Sequence, residues 1–207
     1  MKRAVSVSLG SSKRDKSVKV NLNGQEILVE RIGTDGDIEK ARQMYLDLDG
    51  KITKLLDGID VSNGFGFSPD RKQLYYTISH PKRIFLFDYN EHTGAITNQR
   101  VFVDTTAEEG VPDGMTVDAE GYVWSARWNG WHLTRYTPDG KEMQRITFPA
   151  KKVSSASFGG PDYTDMYVTT AGGNDKAENG PGAGALFRLQ PGVKGQPAYR
   201  SRVGLKG

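Results

Sequence analysis

Asn63–Gly64–Phe65–Gly66–Phe67–Ser68–Pro69–Asp70 is followed by the short run Leu74–Tyr75–Tyr76–Thr77. Further on, Asp113–Gly114–Met115–Thr116–Val117–Asp118–Ala119–Glu120 is followed by Val123–Trp124–Ser125–Ala126. A weaker third copy runs Ser154–Ser155–Ala156–Ser157–Phe158, with Met166–Tyr167–Val168–Thr169 behind it. Each copy continues into a third run, at Ile84–Asp88, Leu133–Tyr136 and Leu186–Leu189. Outer runs follow at Val101–Val103, Arg145–Phe148 and Tyr199–Val203. The copies begin 50 residues apart (63 to 113) and then 41 apart (113 to 154). Four short antiparallel strands at that period are the signature of a β-propeller blade. A β-sandwich with similar turns is the competing reading, but strand order and turn chemistry recur together, which favours the propeller.

The register of the repeat points to a site. Asn63, Asp113 and Ser154 occupy one equivalent place, at the start of the innermost strand of successive blades. In a propeller those strand starts converge on the central channel. Two neighbouring polar oxygens, one of them anionic, suit a hard cation such as Ca²⁺ or Mg²⁺. Gly64 and Gly114 follow directly and let the backbone crowd the axis without a Cβ. Asn and Asp also make turns ahead of strands, so the bland alternative stays open.

The first fifty residues read differently. Ala4–Leu9 alternates like a strand, and Val18, Val20 and Leu22 form a second such run, followed by Asn23–Gly24 and Ile27–Leu28–Val29. An Asn-Gly pair between alternating runs signals a hairpin, because both turn residues accept positive φ. Ile38, Ala41, Tyr45 and Leu48 recur at helical spacing, with Asp35 or Asp37 as cap and Gly50 as terminator. That pattern predicts a helix over roughly Ile38–Leu48. Residues 1–50 are therefore expected to form a ββα segment, and residues 51–207 a partial propeller. The expected class is all-β, with about three blades and a small N-terminal hairpin-plus-helix unit.

Composition narrows the function. Among 207 residues, 28 Lys+Arg stand against 25 Asp+Glu, a net charge of +3 that is evenly spread. That is too little for an electrostatic funnel, so no nucleic-acid partner is expected. No apolar run approaches the roughly 18 residues of a membrane helix, and the N-terminus lacks a signal-peptide stretch. The expectation is a cytoplasmic protein with no membrane partner. With no cysteine there is no thiolate nucleophile and no disulfide framework.

Residues 53–207 resemble the senescence-marker-protein/gluconolactonase family, also called regucalcin-like proteins. The resemblance is carried by Ser62–Asn63–Gly64 through Tyr76, by Gly110–Val111–Pro112–Asp113–Gly114–Met115 with Asp118 and Gly121, and by Phe158–Asp162 with Met166–Ala171. It implies a six-bladed propeller type with one divalent cation in the channel, Ca²⁺ first, then Zn²⁺, Mn²⁺ or Mg²⁺. It also implies hydrolysis of sugar lactones. By resemblance, Asn63 and Asp113 are two metal ligands, and Asp113 also orients or deprotonates the attacking water. The family's remaining ligand, a glutamate in its first blade, has no counterpart in the residues read here. The alternative is a non-catalytic propeller fragment that binds Ca²⁺ weakly or not at all.

The opening also resembles the start of bacterial quinate-dehydrogenase-like proteins, at Val5–Ser12 and Glu30–Asp37. A dehydrogenase would need a dinucleotide fingerprint, which is missing. Arg127, after the strand Val123–Ala126, and His132, after Trp128–Asn129–Gly130–Trp131, are weak candidates for substrate contact. His80 and His92 fall in turns, and Gly180–Ala185 reads as a loop between strands. About three blades cannot close a ring of four to eight, so a homodimer pairing two halves is one expectation. An N-terminal segment covering the open edge is the other.

Overall fold

The computed structural model describes residues 52–197, and before them only the backbone of short strand segments. Those segments are β1 (Arg3–Ala4), β2 (Ser17–Leu22), β3 (Gln25–Glu30) and β4 (Ala41–Leu46). Next come β5 (Ile52–Ile59) and a first four-stranded sheet: β6 (Ser62–Phe67), β7 (Gln73–Ile78), β8 (Arg83–Tyr89) and β9 (Ile96–Asp104). A second four-stranded sheet holds β10 (Val111–Val117), β11 (Val123–Trp128), β12 (His132–Tyr136) and β13 (Glu142–Thr147). The third contains β14 (Lys152–Gly159), β15 (Asp165–Ala171) and β16 (Leu186–Leu189), with one helical turn, α1 (Lys176–Asn179), between the last two. Each sheet is an antiparallel meander in chain order. That is the blade pattern the repeat predicts, and the fold is a partial β-propeller. The expected outer strand at Tyr199–Val203, and residues 5–9 of the expected first strand, lie outside the described residues.

The predicted N-terminal hairpin forms, with Leu22 opposite Gln25 and Ser17 opposite Glu30. The predicted helix over Ile38–Leu48 does not. Ala41–Leu46 is a strand, pairing with β5 from Ala41 opposite Ile59 to Leu46 opposite Ile52. Ala, Arg, Gln, Met and Leu all favour helix in isolation, but the gain is only tenths of a kcal/mol per residue. A ladder on the edge of β5 satisfies the same backbone groups and overrides that preference. This pairing also joins residues on either side of Gly50.

Apolar side chains leave the inner strands on both faces. Tyr75 and Tyr76, adjacent and both 1% exposed, point to opposite sides of the first sheet. Tyr75 joins Ile84, Leu86, Val103, Met115, Val117, Val123 and Tyr136 in a core between the first and second sheets. Trp124, Ala126, Leu133 and Phe148 meet Val153, Ala156, Met166 and Val168 between the second and third. Burial on both faces explains why these strands read as near-continuous apolar runs. Consequently β10 lies against β6 on one side and β14 on the other. Among the described residues no helix is long and apolar enough to cross a membrane.

One polar group pins the second sheet. Asp118, fully buried in the β10–β11 turn, accepts backbone N–H groups from Glu120 (3.0 Å) and Tyr122 (2.9 Å). It also accepts Trp124 Nε1 at 2.9 Å and Arg135 at 2.7 and 3.0 Å. The Arg135 guanidinium lies over the Tyr122 ring, 4.0 Å from its centroid. Removing one member of such a pair leaves the other buried and uncompensated. Asp118→Ala is expected to lower the unfolding free energy by about 3–5 kcal/mol, read by urea denaturation followed by circular dichroism.

Candidate functional site

The inner strand of each blade is interrupted at the same place. In the first sheet the pairing of β6 with β7 shifts register between Ser62 and Phe65, which brackets Asn63 and Gly64. In the second, β10 shifts against β11 between Pro112 and Met115, which brackets Asp113 and Gly114. In the third, β14 shifts against β15 between Val153 and Ser155, which brackets Ser154. A bulge of this kind leaves a residue out of the ladder and re-aims its side chain. The three positions that the repeat sets in register are therefore also three matching bulges.

Close strand approach brings the bulges together. A Cβ on Gly64 would lie 2.3 Å from the Met115 backbone nitrogen. A Cβ on Gly114 would lie 2.4 Å from Ser155 Oγ and 2.7 Å from the Ser154 carbonyl oxygen. Only glycine permits this spacing. Across it Asn63 and Asp113 come near each other, and the Asn63 amide works against burial in setting the Asp113 pKa.

Asp113 is partly buried and, among the described residues, has no cationic partner. Burial pushes its carboxyl group up to about 6 from an ordinary 3.8, against smaller opposing effects of the Asn63 amide and the Gly114 backbone. A half-buried carboxylate without a counter-cation, next to a neutral amide oxygen, is chemistry that an oxygen-seeking divalent ion satisfies. Asn63 and Asp113 thus fit as two ligands of such an ion. The described residues contain no group of three or more His, Asp or Glu side chains that could hold a metal.

Ser79 was missed by sequence reasoning. Its hydroxyl, in a residue 3% exposed, accepts from Asn63 Nδ2 at 3.3 Å and donates to the Pro112 carbonyl at 2.8 Å. It therefore bridges the two blades at the site. The Ser154 hydroxyl is instead joined to Thr169 Oγ1 at 2.8 Å.

Arg127 and His132 are both buried. The Arg127 guanidinium contacts Ser125 Oγ at 2.8 Å, Glu108 Oε2 at 3.4 Å and the Tyr136 hydroxyl. The His132 ring bonds the Gly130 carbonyl through Nδ1, and burial holds its pKa below the usual histidine value. These contacts set both side chains within the second sheet and the loop preceding it. The Gly180–Ala185 stretch links α1 to β16 and is tied to Pro149 through Gly182 N at 2.8 Å and to Thr170 through the Ala185 carbonyl at 2.7 Å.

The family model described as the SMP-30/gluconolactonase/LRE-like region matches residues 24–172. The chain belongs to this family. The match starts within the N-terminal block, before Gly50. Among curated relatives, the pentonolactonase XacC of Haloferax volcanii is 42% identical over 176 residues, covering 82% of this chain and 60% of that protein. Regucalcin of Oryctolagus cuniculus is 40% identical over 156 residues, covering 73% of this chain and 52% of the relative. The solved structure of a calcium-binding regucalcin from Agrobacterium tumefaciens superposes with a TM-score of 0.71 at 32% identity, over 80% of this chain and 58% of that one. The family chain described here thus spans between about half and three fifths of the length of these relatives.

The raised pKa of Asp113 has a definite sign in stability. Folding makes this group bind its proton more tightly, so its contribution falls as pH rises from about 4 to about 6. With a chelator present, Asp113→Asn is expected to gain stability over the wild type as pH rises through that window. The gain should be absent at pH 4 and complete above the folded pKa, read as the difference between the two denaturation midpoints.

Proposed function

We propose that this family member hydrolyses sugar lactones at the Asn63–Asp113 pair, with a divalent cation, Ca²⁺ first among the candidates, as cofactor. The observation that carries the reading is the meeting of an amide and an uncompensated carboxyl group in matching bulges of adjacent blades. The names of the relatives, a pentonolactonase and regucalcins, support the substrate class.

Asn63 and Asp113 would hold the cation. When bound, the cation supplies Lewis acidity toward the lactone carbonyl oxygen. Asp113 orients a water against the carbonyl carbon and takes its proton. Without a cation, burial raises this carboxyl group to about 6, and a bound cation would lower it and keep it ionised as a proton acceptor. The water oxygen bonds to the carbonyl carbon, the ring C–O bond breaks, and the ring oxygen takes the proton that Asp113 accepted and leaves as the hydroxyl of the open hydroxy acid. Asn63 is neutral, so it contributes an oxygen without lowering the net positive charge at the site.

A second reading, a propeller that binds Ca²⁺ weakly and does no chemistry, is favoured by the two-residue donor set among the described residues. Ring-opening of a sugar lactone, measured with chelator and with added Ca²⁺, Zn²⁺ or Mn²⁺, separates the two. Metal-stimulated turnover that Asp113→Ala lowers at least about 100-fold is expected. Turnover unchanged in that variant would remove Asp113 from the reaction, and no turnover with any cation would leave the second reading.

A homodimer that sets two such arcs of blades into one ring is the partner state we propose. Size-exclusion with light scattering is expected to give twice the chain mass, and a stably folded monomer would refute it.

A further inference from the structure

We infer that Ser79 is a positioning residue: its hydroxyl dictates which way the Asn63 side-chain amide faces. It thereby decides which Asn63 atom is left for a ligand between the blades. That this atom serves a cation rests on the function proposed above; the orientation itself does not.

The argument is one of proton counting. Ser79 is fixed through its own backbone, donating to the Val61 carbonyl at 3.0 Å and accepting from Lys82 N at 2.9 Å. Its side-chain hydroxyl carries a single proton. The Pro112 carbonyl oxygen, 2.8 Å away, has no proton to give, so the hydroxyl proton is spent there. Ser79 Oγ can then meet Asn63 only as an acceptor, and the Asn63 atom at 3.3 Å must be Nδ2. The reverse amide orientation would set two oxygens face to face without a proton between them. With Nδ2 turned to Ser79, Asn63 Oδ1 is the atom left over.

The same hydroxyl holds the other half of the site. Pro112 immediately precedes Asp113, so the bond from Ser79 anchors the strand at the edge of the second bulge. A residue outside both bulges thereby sets the amide of one and the backbone of the other. Burial makes the arrangement durable, since at 3% exposure water has little access to replace either bond.

The test uses the whole chain, labelled with nitrogen-15, with the Asn63 side-chain signal identified by its loss in Asn63→Asp. In metal-free protein, Ser79→Ala is expected to speed hydrogen exchange at the Asn63 amide by about three- to tenfold, the worth of one net hydrogen bond. Calorimetric titration with Ca²⁺ and Mn²⁺ is expected to show affinity falling by a similar factor. Ser79→Thr keeps the hydroxyl and is expected to restore both readings. Should Ser79→Ala unfold, Ser79→Cys, with a similar volume and a poor acceptor, is expected to show the same faster exchange. A lower melting temperature with unchanged Asn63 exchange and unchanged affinity would mark Ser79 as merely structural and overturn the inference. If the wild type takes up neither ion, the proposed function falls, whereas the exchange comparison still decides the role of Ser79.

Discussion

Two glycines set how near neighbouring sheets can come, and the rest of the site depends on that spacing. At Gly64 the first inner strand lies against the backbone of Met115, and at Gly114 the second lies against Ser154 and Ser155. Apolar cores on either side of β10 drive the sheets together. With no Cβ to hold them apart, the sheets close until backbone meets backbone. A residue displaced from the ladder at that point cannot pack into either sheet, so Asn63 and Asp113 turn toward each other. Core packing and site geometry thus come from the same few strand starts.

Much of this could be read from the chain because it recurs. Strand order, the Ser-Pro-Asp and Asp-Ala-Glu turns and the Asn-Gly and Asp-Gly pairs keep step across two repeats, and the register alone sets Asn63 beside Asp113. The bulges could not be read. They are a count of hydrogen bonds along a ladder, and a displaced residue looks in one dimension like any other turn former. Ser79 was invisible for a related reason. Counting back along the paired strands, its place in the second sheet is taken by Trp128, so comparison of repeats discards it. The segment Ala41–Leu46 misled because its apolar spacing is helical, whereas its partner strand begins only at Ile52, beyond the reach of a local reading. Arg127 read as a candidate for substrate contact after a strand, and nothing nearby in sequence announces that Tyr136 and Glu108 would enclose it.

Asp113 and Asp118 show how one strand treats two carboxyl groups differently. Asp118 is the more deeply buried, yet it receives backbone N–H groups, an indole N–H and a stacked guanidinium. Every lone pair has a donor, and the charge becomes part of the framework holding β10, β11 and β12 together. Asp113 is less buried, but among the described residues it has no cationic partner, and burial raises its pKa to about 6. Position in the bulge explains the difference. The tight turn at Asp118 supplies its own N–H groups and points the carboxylate at Arg135, two strands away in the same sheet. The bulge at Asp113 turns its carboxylate out of the sheet, toward a neighbouring strand that offers no cation. Such a carboxylate weakens the fold at neutral pH. It stays electrostatically unfinished, which suits a group that must bind a positive ion or accept a proton from water.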